Sequence, residues 1–81
     1  MNLDERHFLR DLGHRLRKRR EDRGLTQAEL ADQCKLHRTF IGSVERGERN
    51  VSILNLRTIA KALRMPVVAR RTYADTAAPV A

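Results

Sequence analysis

The apolar positions divide this chain into four helical stretches followed by a less regular tail. Leu9, Leu12 and Leu16 recur at helical spacing on one face. They predict a first helix from about Glu5 to Arg23, stopped by Gly24 in a left-handed conformation. Thr26-Gln27-Ala28-Glu29 then spells a capping box, in which the Thr26 hydroxyl accepts the Glu29 backbone N–H and the Glu29 side chain reaches back. Leu25 and Leu30 flank the box as a hydrophobic staple, and Leu30, Ala31 and Cys34 form the buried stripe of a second helix.

Lys35-Leu36-His37 is a short connection to a third helix, roughly Arg38–Arg46, which Gly47 closes. On a helical wheel Phe40, Ile41 and Val44 fall on one side. Thr39, Gly42, Ser43 and Arg46 fall on the other, with Arg38 at its edge in the first turn. One face is apolar and the opposite face is short, polar and cationic. That division suits a helix packed on a domain at its back and pressed into a groove at its front. After the polar loop Gly47–Val51, Ser52 is placed to cap a fourth helix, about Ile53–Leu63, with Val51 and Leu56 as its staple. Ile53, Leu56, Ile59, Ala60 and Leu63 make its core stripe. Pro66 ends the run. The β-branched, basic segment Pro66–Tyr73 reads equally as helix or strand, and residues 74–81 read as a frayed tail. The expected fold is all-α: a compact bundle of four to five short helices over residues 1–73, with a dimerisation segment near 54–73 and a flexible tail at 74–81.

Charge changes this picture. The 81 residues carry 17 Lys and Arg against 10 Asp and Glu, a formal net charge of +7. A small domain that basic generally has a polyanionic partner. The excess is uneven: residues 35–57 carry five basic and two acidic side chains, whereas residues 25–34 carry two acidic and no basic ones. The contact surface is therefore expected on the third helix, the loop after it and part of the first. No apolar run approaches the ~20 residues of a membrane span, and the opening Met-Asn-Leu-Asp-Glu-Arg lacks the apolar core of a signal peptide. With one cysteine, Cys34, no internal disulfide can form. A cytoplasmic protein, nucleoid-associated when bound to DNA, is the expectation.

Two helices of this length joined by three residues form the unit in which the second helix enters the major groove of duplex DNA. Arg20 lies one turn beyond Leu16 on the buried face of the first helix, and Glu45 one turn after Ile41 at the core edge of the third. A buried charge needs a partner, so these two are expected to pair; the alternative is that both are exposed and unpaired. At the front, Arg38 can fork onto guanine, and Thr39 and Ser43 can touch base edges or a thymine methyl. Arg46 can reach a base or a phosphate. Gln27, Lys35, His37, Arg49 and Asn50 are the phosphate candidates that would set register and salt dependence. Leu54 and Met65 lie off the core stripe of the fourth helix, close in sequence to Val67 and Val68. With Tyr73 they are expected to form a two-fold dimer interface, or else to complete the monomer core against the tail.

Enzyme readings are poor. There is no glycine-rich phosphate loop and no paired-carboxylate site. His7, Asp11 and His14 share a face of the first helix, but such residues are more often solvated than metal-bound. Cys34 lies on an apolar stripe without a base beside it. No cofactor and no metal are expected. With only three aromatics the chain offers no stacking platform for single-stranded RNA.

The stretch Leu16–Leu63, with Arg-Glu-Asp-Arg-Gly-Leu-Thr-Gln-Ala-Glu-Leu-Ala and then Arg-Thr-Phe-Ile-Gly-Ser-Val-Glu-Arg-Gly-Glu-Arg-Asn, resembles the Cro/repressor (Xre-type) helix-turn-helix family. Within it, His37–Leu63 looks most like the controller proteins of restriction–modification systems, small dimeric regulators of transcription. The resemblance implies a lambda-repressor-like fold. It also implies a phosphate-contacting role for Gln27, base reading by Arg38, Thr39 and Ser43, and a buried Arg20–Glu45 pair. The apolar fifth helix common in controllers is not visible in Pro66–Ala81. An alternative is an antitoxin-type interaction module, whose tail would bind a protein partner while DNA binding serves autoregulation.

Overall fold

The computed structural model describes residues 2–65. They form four helices: α1 (Leu3–Asp22), α2 (Gln27–Cys34), α3 (Arg38–Glu45) and α4 (Ile53–Ala62). α3 packs against both α1 and α2, and α2 against α4. Leu16, Leu30, Ala31, Cys34, Ile41, Val44, Ile59 and Leu63 meet in one buried cluster. Helices of eight residues are unstable alone. What holds them is the burial of Leu16, Leu30, Ile41, Ile59 and Leu63, all essentially inaccessible and worth roughly 1.5–3 kcal/mol each. No helix among the described residues is long and apolar enough to cross a membrane.

Both ends of every helix are satisfied locally. Asn2, Thr26, His37 and Ser52 cap the four N-termini with their side chains. Asn2 and Glu5 form a capping box of their own, with Glu5 N donating to Asn2 Oδ1 at 2.8 Å. α1 therefore starts two residues before the expected Glu5; its first turn is held by the cap and not by burial, so the apolar pattern does not show it. At the C-termini all four helices close with paired bonds of the Schellman type. Leu25 N donates to Arg20 O, Leu36 N to Ala31 O, Glu48 N to Ser43 O and Met65 N to Ala60 O. Two of the left-handed positions this motif requires are glycines, Gly24 and Gly47, but the other two are Lys35 and Arg64, with φ of 58° and 57°.

This closure corrects two expectations for α4. Arg64 turns the chain back, so Met65 packs half-buried against the core and does not face outward with Leu54. Ile53 does not belong to the core stripe: it is 71% exposed at the first position of α4, and the buried stripe begins one turn later, at Leu56. Leu54 is exposed, as its position opposite that stripe requires. Val67, Val68 and Tyr73, the tail and the choice between helix and strand after Pro66 lie outside the described residues. Cys34 is buried, its Sγ 3.9 Å from Thr58 O, and burial pushes its thiol pKa up.

Candidate nucleic-acid interface

The turn between α2 and α3 is built from Lys35, Leu36 and His37. The left-handed Lys35 ends α2, Leu36 drops onto the core, and His37 starts α3. His37 Nδ1 accepts the Thr39 backbone N–H at 3.1 Å and lies 2.8 Å from Thr39 Oγ1. A nitrogen that accepts from a backbone amide carries no proton, so the proton of the exposed neutral ring belongs on Nε2. Here His37 acts first as a cap, a role that residue type alone did not reveal. Ser, Thr, Asp and Asn are the side chains usually sought there.

Behind α3, Arg20 and Glu45 meet in a buried two-pronged pair: Arg20 Nε donates to Glu45 Oε2 at 2.7 Å and Nη2 to Oε1 at 3.1 Å. Their side chains are 9% and 3% exposed, so neither charge is left to water. The third prong, Arg20 Nη1, donates to Leu25 O at 2.7 Å, and Gln27 Nε2 donates to Glu45 Oε1 at 3.0 Å. The Glu45 hydrogen bond raises the Arg20 pKa above its already high ordinary range, against the opposing effect of burial. Every buried side-chain nitrogen and oxygen among the described residues has a partner. One carboxylate thus ties α1, the start of α2 and the back of α3 together.

Two glycines make the rest of that junction. A Cβ on Gly13 would collide with Val44 O and lie 2.6 Å from Glu45 O, so α1 crosses directly against the last carbonyls of α3. A Cβ on Gly47 would lie 2.7 Å from Arg10 Cα. Gly47 was legible as a helix stop; the close approach at Gly13 was not, because contact between distant segments leaves no local pattern. Nor was the clamp in which Arg19 Nε donates to Leu63 O at 3.0 Å and Nη2 to Arg64 O at 3.2 Å. It satisfies the end of α4 with a cation, the charge that end favours.

On the opposite side, Arg38, Thr39 and Gly42 of α3 and its C-cap Arg46 line one open groove with Thr26, Gln27 and Ala28 at the start of α2. It has a volume of about 500 Å³. Arg38, Thr39 and Arg46 are exposed, while Ile41, Val44 and Glu45 are buried. Gly42 departs from its expected open position. It is buried, and a Cβ there would meet the Arg46 guanidinium at 3.2 Å and Gln27 Oε1 at 3.4 Å. The room it leaves is taken by the protein's own side chains. Ser43 is half-buried, and its hydroxyl donates to Phe40 O at 2.8 Å and accepts from Arg49 Nε at 3.1 Å. The Arg49 guanidinium sits over the Phe40 ring, 5.1 Å from its centre. Arg46 Nε donates to Glu48 Oε1 at 3.0 Å in an exposed pair. Lys35 and Asn50 are exposed on either side of α3. His7, Asp11 and His14 are exposed on α1.

A helix-turn-helix family model matches residues 16–69. The chain belongs to the helix-turn-helix family. Among relatives of this helix-turn-helix protein, control protein C.SmaI of Serratia marcescens is 48% identical over 56 residues, 69% of this chain and 67% of that one. Control protein C.BamHI of Bacillus amyloliquefaciens is 54% identical over 39 residues. That match covers 48% of each chain, so the chain spans about half the length of this relative. The solved restriction-modification controller protein C.AhdI from Aeromonas hydrophila superposes with a TM-score of 0.74 at 43% identity, over 78% of this chain and 91% of that one. The helix-turn-helix proper is α2, the Lys35–His37 turn and α3, and the open groove lies on its outward side.

Proposed function

We propose that this protein is a non-enzymatic, cytoplasmic regulator of transcription of the controller type, which reads a (pseudo)palindromic operator in duplex DNA as a homodimer. The observation that carries the reading is the division of α3: Ile41, Val44 and Glu45 point inward, while Arg38, Thr39 and Arg46 face an open groove shared with Gln27 and the start of α2. In this reading Arg38 and Thr39 read bases, and Arg46 a base or a phosphate. Ser43 touches the DNA with whatever its hydroxyl has left after Phe40 O and Arg49. Gln27 presents one amide N–H to a phosphate while the other stays on Glu45. His37 offers Nε2–H, and Lys35, Arg49 and Asn50 flank the helix as further phosphate contacts.

The exposed Ile53 and Leu54 at the start of α4 supply the apolar surface of a two-fold interface, with Val67, Val68 and Tyr73 as its remaining proposed members. Such a dimer places two α3 helices about one DNA turn apart, ~34 Å. The antitoxin alternative depends on residues 66–81, outside the described part, and no observation favours it. Selection of bound duplexes from a random pool tests the proposal. The expected product is one enriched half-site, repeated with two-fold symmetry at a fixed spacing, with a dimer seen by sedimentation at micromolar protein. A pool that stays random through repeated rounds would remove the reading.

A further inference from the structure

The helix-turn-helix match begins at residue 16, yet α1 begins at Leu3, so more than three helical turns precede the matched region. Arg6, Arg10 and Arg17 share one stripe of α1 with Gly13, the residue on which the end of α3 rests. Gly47 then stacks on the Arg10 backbone: a Cβ built there would lie 2.9 Å from Arg10 N. These two close approaches fix Arg6 and Arg10 beside the C-terminal end of α3. Together with Arg46, Gly47 and Glu48 they line an open cleft of about 400 Å³.

Two features make this cleft a candidate for an anionic partner. Among the described residues, Arg17 is paired with Glu21 and Arg46 with Glu48, but neither Arg6 nor Arg10 has an acidic partner. Arg46 also lines the groove in front of α3, so the two clefts adjoin at that side chain. The α3 groove starts at Arg38, and eight residues of helix carry the chain ~12 Å from there to Arg46.

We propose that Arg6 and Arg10, beside Arg46, form a second phosphodiester-binding cleft that grips the DNA backbone beyond the base pairs facing α3. The proposal rests on the duplex-DNA reading above. Glu48 is the carboxylate in this cleft. It occupies Arg46 Nε in the free protein and is exchanged for a phosphate oxygen on binding, so it tunes the affinity downward.

The test compares the full chain with Arg6→Gln/Arg10→Gln on the selected duplex, with flanks trimmed in steps and at graded salt. Two phosphates per subunit correspond to a slope of about 1.8 in log affinity against log salt. Between 50 and 200 mM salt the wild type should therefore lose about twelvefold more affinity per subunit than the variant. Trimming the flanks should weaken the wild type and leave the variant unaffected, while both select the same half-site and melt alike. Glu48→Gln should tighten binding without changing the selected site. An unchanged slope and unchanged flank dependence in the double variant would overturn the cleft and leave the regulator reading standing. If the wild type selects no site and binds duplexes without salt dependence, both fall together.

Discussion

Glu45→Ala is the most informative single change, because Glu45 accepts three N–H groups from two other helices: two from Arg20 at 2.7 and 3.1 Å and one from Gln27 at 3.0 Å. Removing the carboxylate leaves the Arg20 guanidinium buried with Leu25 O as its only remaining partner. Breaking a buried pair from one side costs about 3–5 kcal/mol, since the stranded charge keeps its desolvation penalty. A chain of 81 residues has a total stability of roughly 4–12 kcal/mol, so the loss takes a large share. At roughly 4–8 °C per kcal/mol for a domain this size, Tm should fall by at least about 12 °C.

Thermal melts followed by far-ultraviolet circular dichroism read this directly, and two companion variants locate the cause. Glu45→Gln keeps the shape and one carbonyl acceptor but no charge, and should fall between wild type and Glu45→Ala. Arg20→Met combined with Glu45→Leu leaves no charge buried and should recover most of the stability; Leu25 is half-exposed, so water can replace the guanidinium at its carbonyl. If Glu45→Ala melts within about 2 °C of wild type, the pair is not buried in solution, and the argument that it holds α3 in place fails.

Other changes separate reading from holding. Arg38→Ala should weaken binding to the selected site by ~1–3 kcal/mol and relax preference at one base pair; equal losses on selected and random duplexes would reassign it to phosphate. Arg49→Ala should weaken all sequences alike and lower the salt slope by about one, while its loss from Phe40 and Ser43 leaves Tm nearly unchanged. Lys35→Gly relieves a left-handed non-glycine residue and should raise stability by about 1 kcal/mol while weakening DNA binding; a lower Tm would show that Lys35 is not strained. Because burial raises the Cys34 pKa, folding favours the neutral thiol. The stability it confers is complete below the free thiol range, near ~8.5, and is lost as pH rises from there through the folded value. A pH series of melts should show this alkaline loss in wild type and not in Cys34→Ala.

The apolar periodicities of α2 and α3, the Thr26 box and the Ser52 cap were all legible along the chain, because each depends on residues within one or two turns. The Arg20–Glu45 pairing was legible for a different reason: a cation continuing an apolar stripe is anomalous, and only one anion in α3 sat where it could answer. What escaped was either short of a pattern or long in range. Asn2 begins α1 before any apolar residue repeats, and Ile53 looked like core because the stripe was extended one turn too far toward the cap. Met65 was assigned outward from its face relative to the core stripe of α4, whereas the turn at Arg64 folds it inward. Gly13 and Arg19 act on segments 30 or more residues away, where spacing along the chain has no bearing.

The same network would let so short a helix serve as the proposed reading element. α3 has eight residues and no intrinsic tendency to persist alone, yet reading a base edge demands side chains placed to within a fraction of an ångström. Its start is fixed by His37, its end by the carbonyl contact with Gly13 and the turn at Gly47, and its back by Glu45. Gln27, at the first position of α2, is bonded to that same carboxylate. The start of α2 and the outward face of α3 are therefore held to one another through a single side chain. Any tilt of α3 must strain Gln27 and Arg20 together, so in the proposed reading the backbone contact of Gln27 and the placing of Arg38 and Thr39 over bases would move as one.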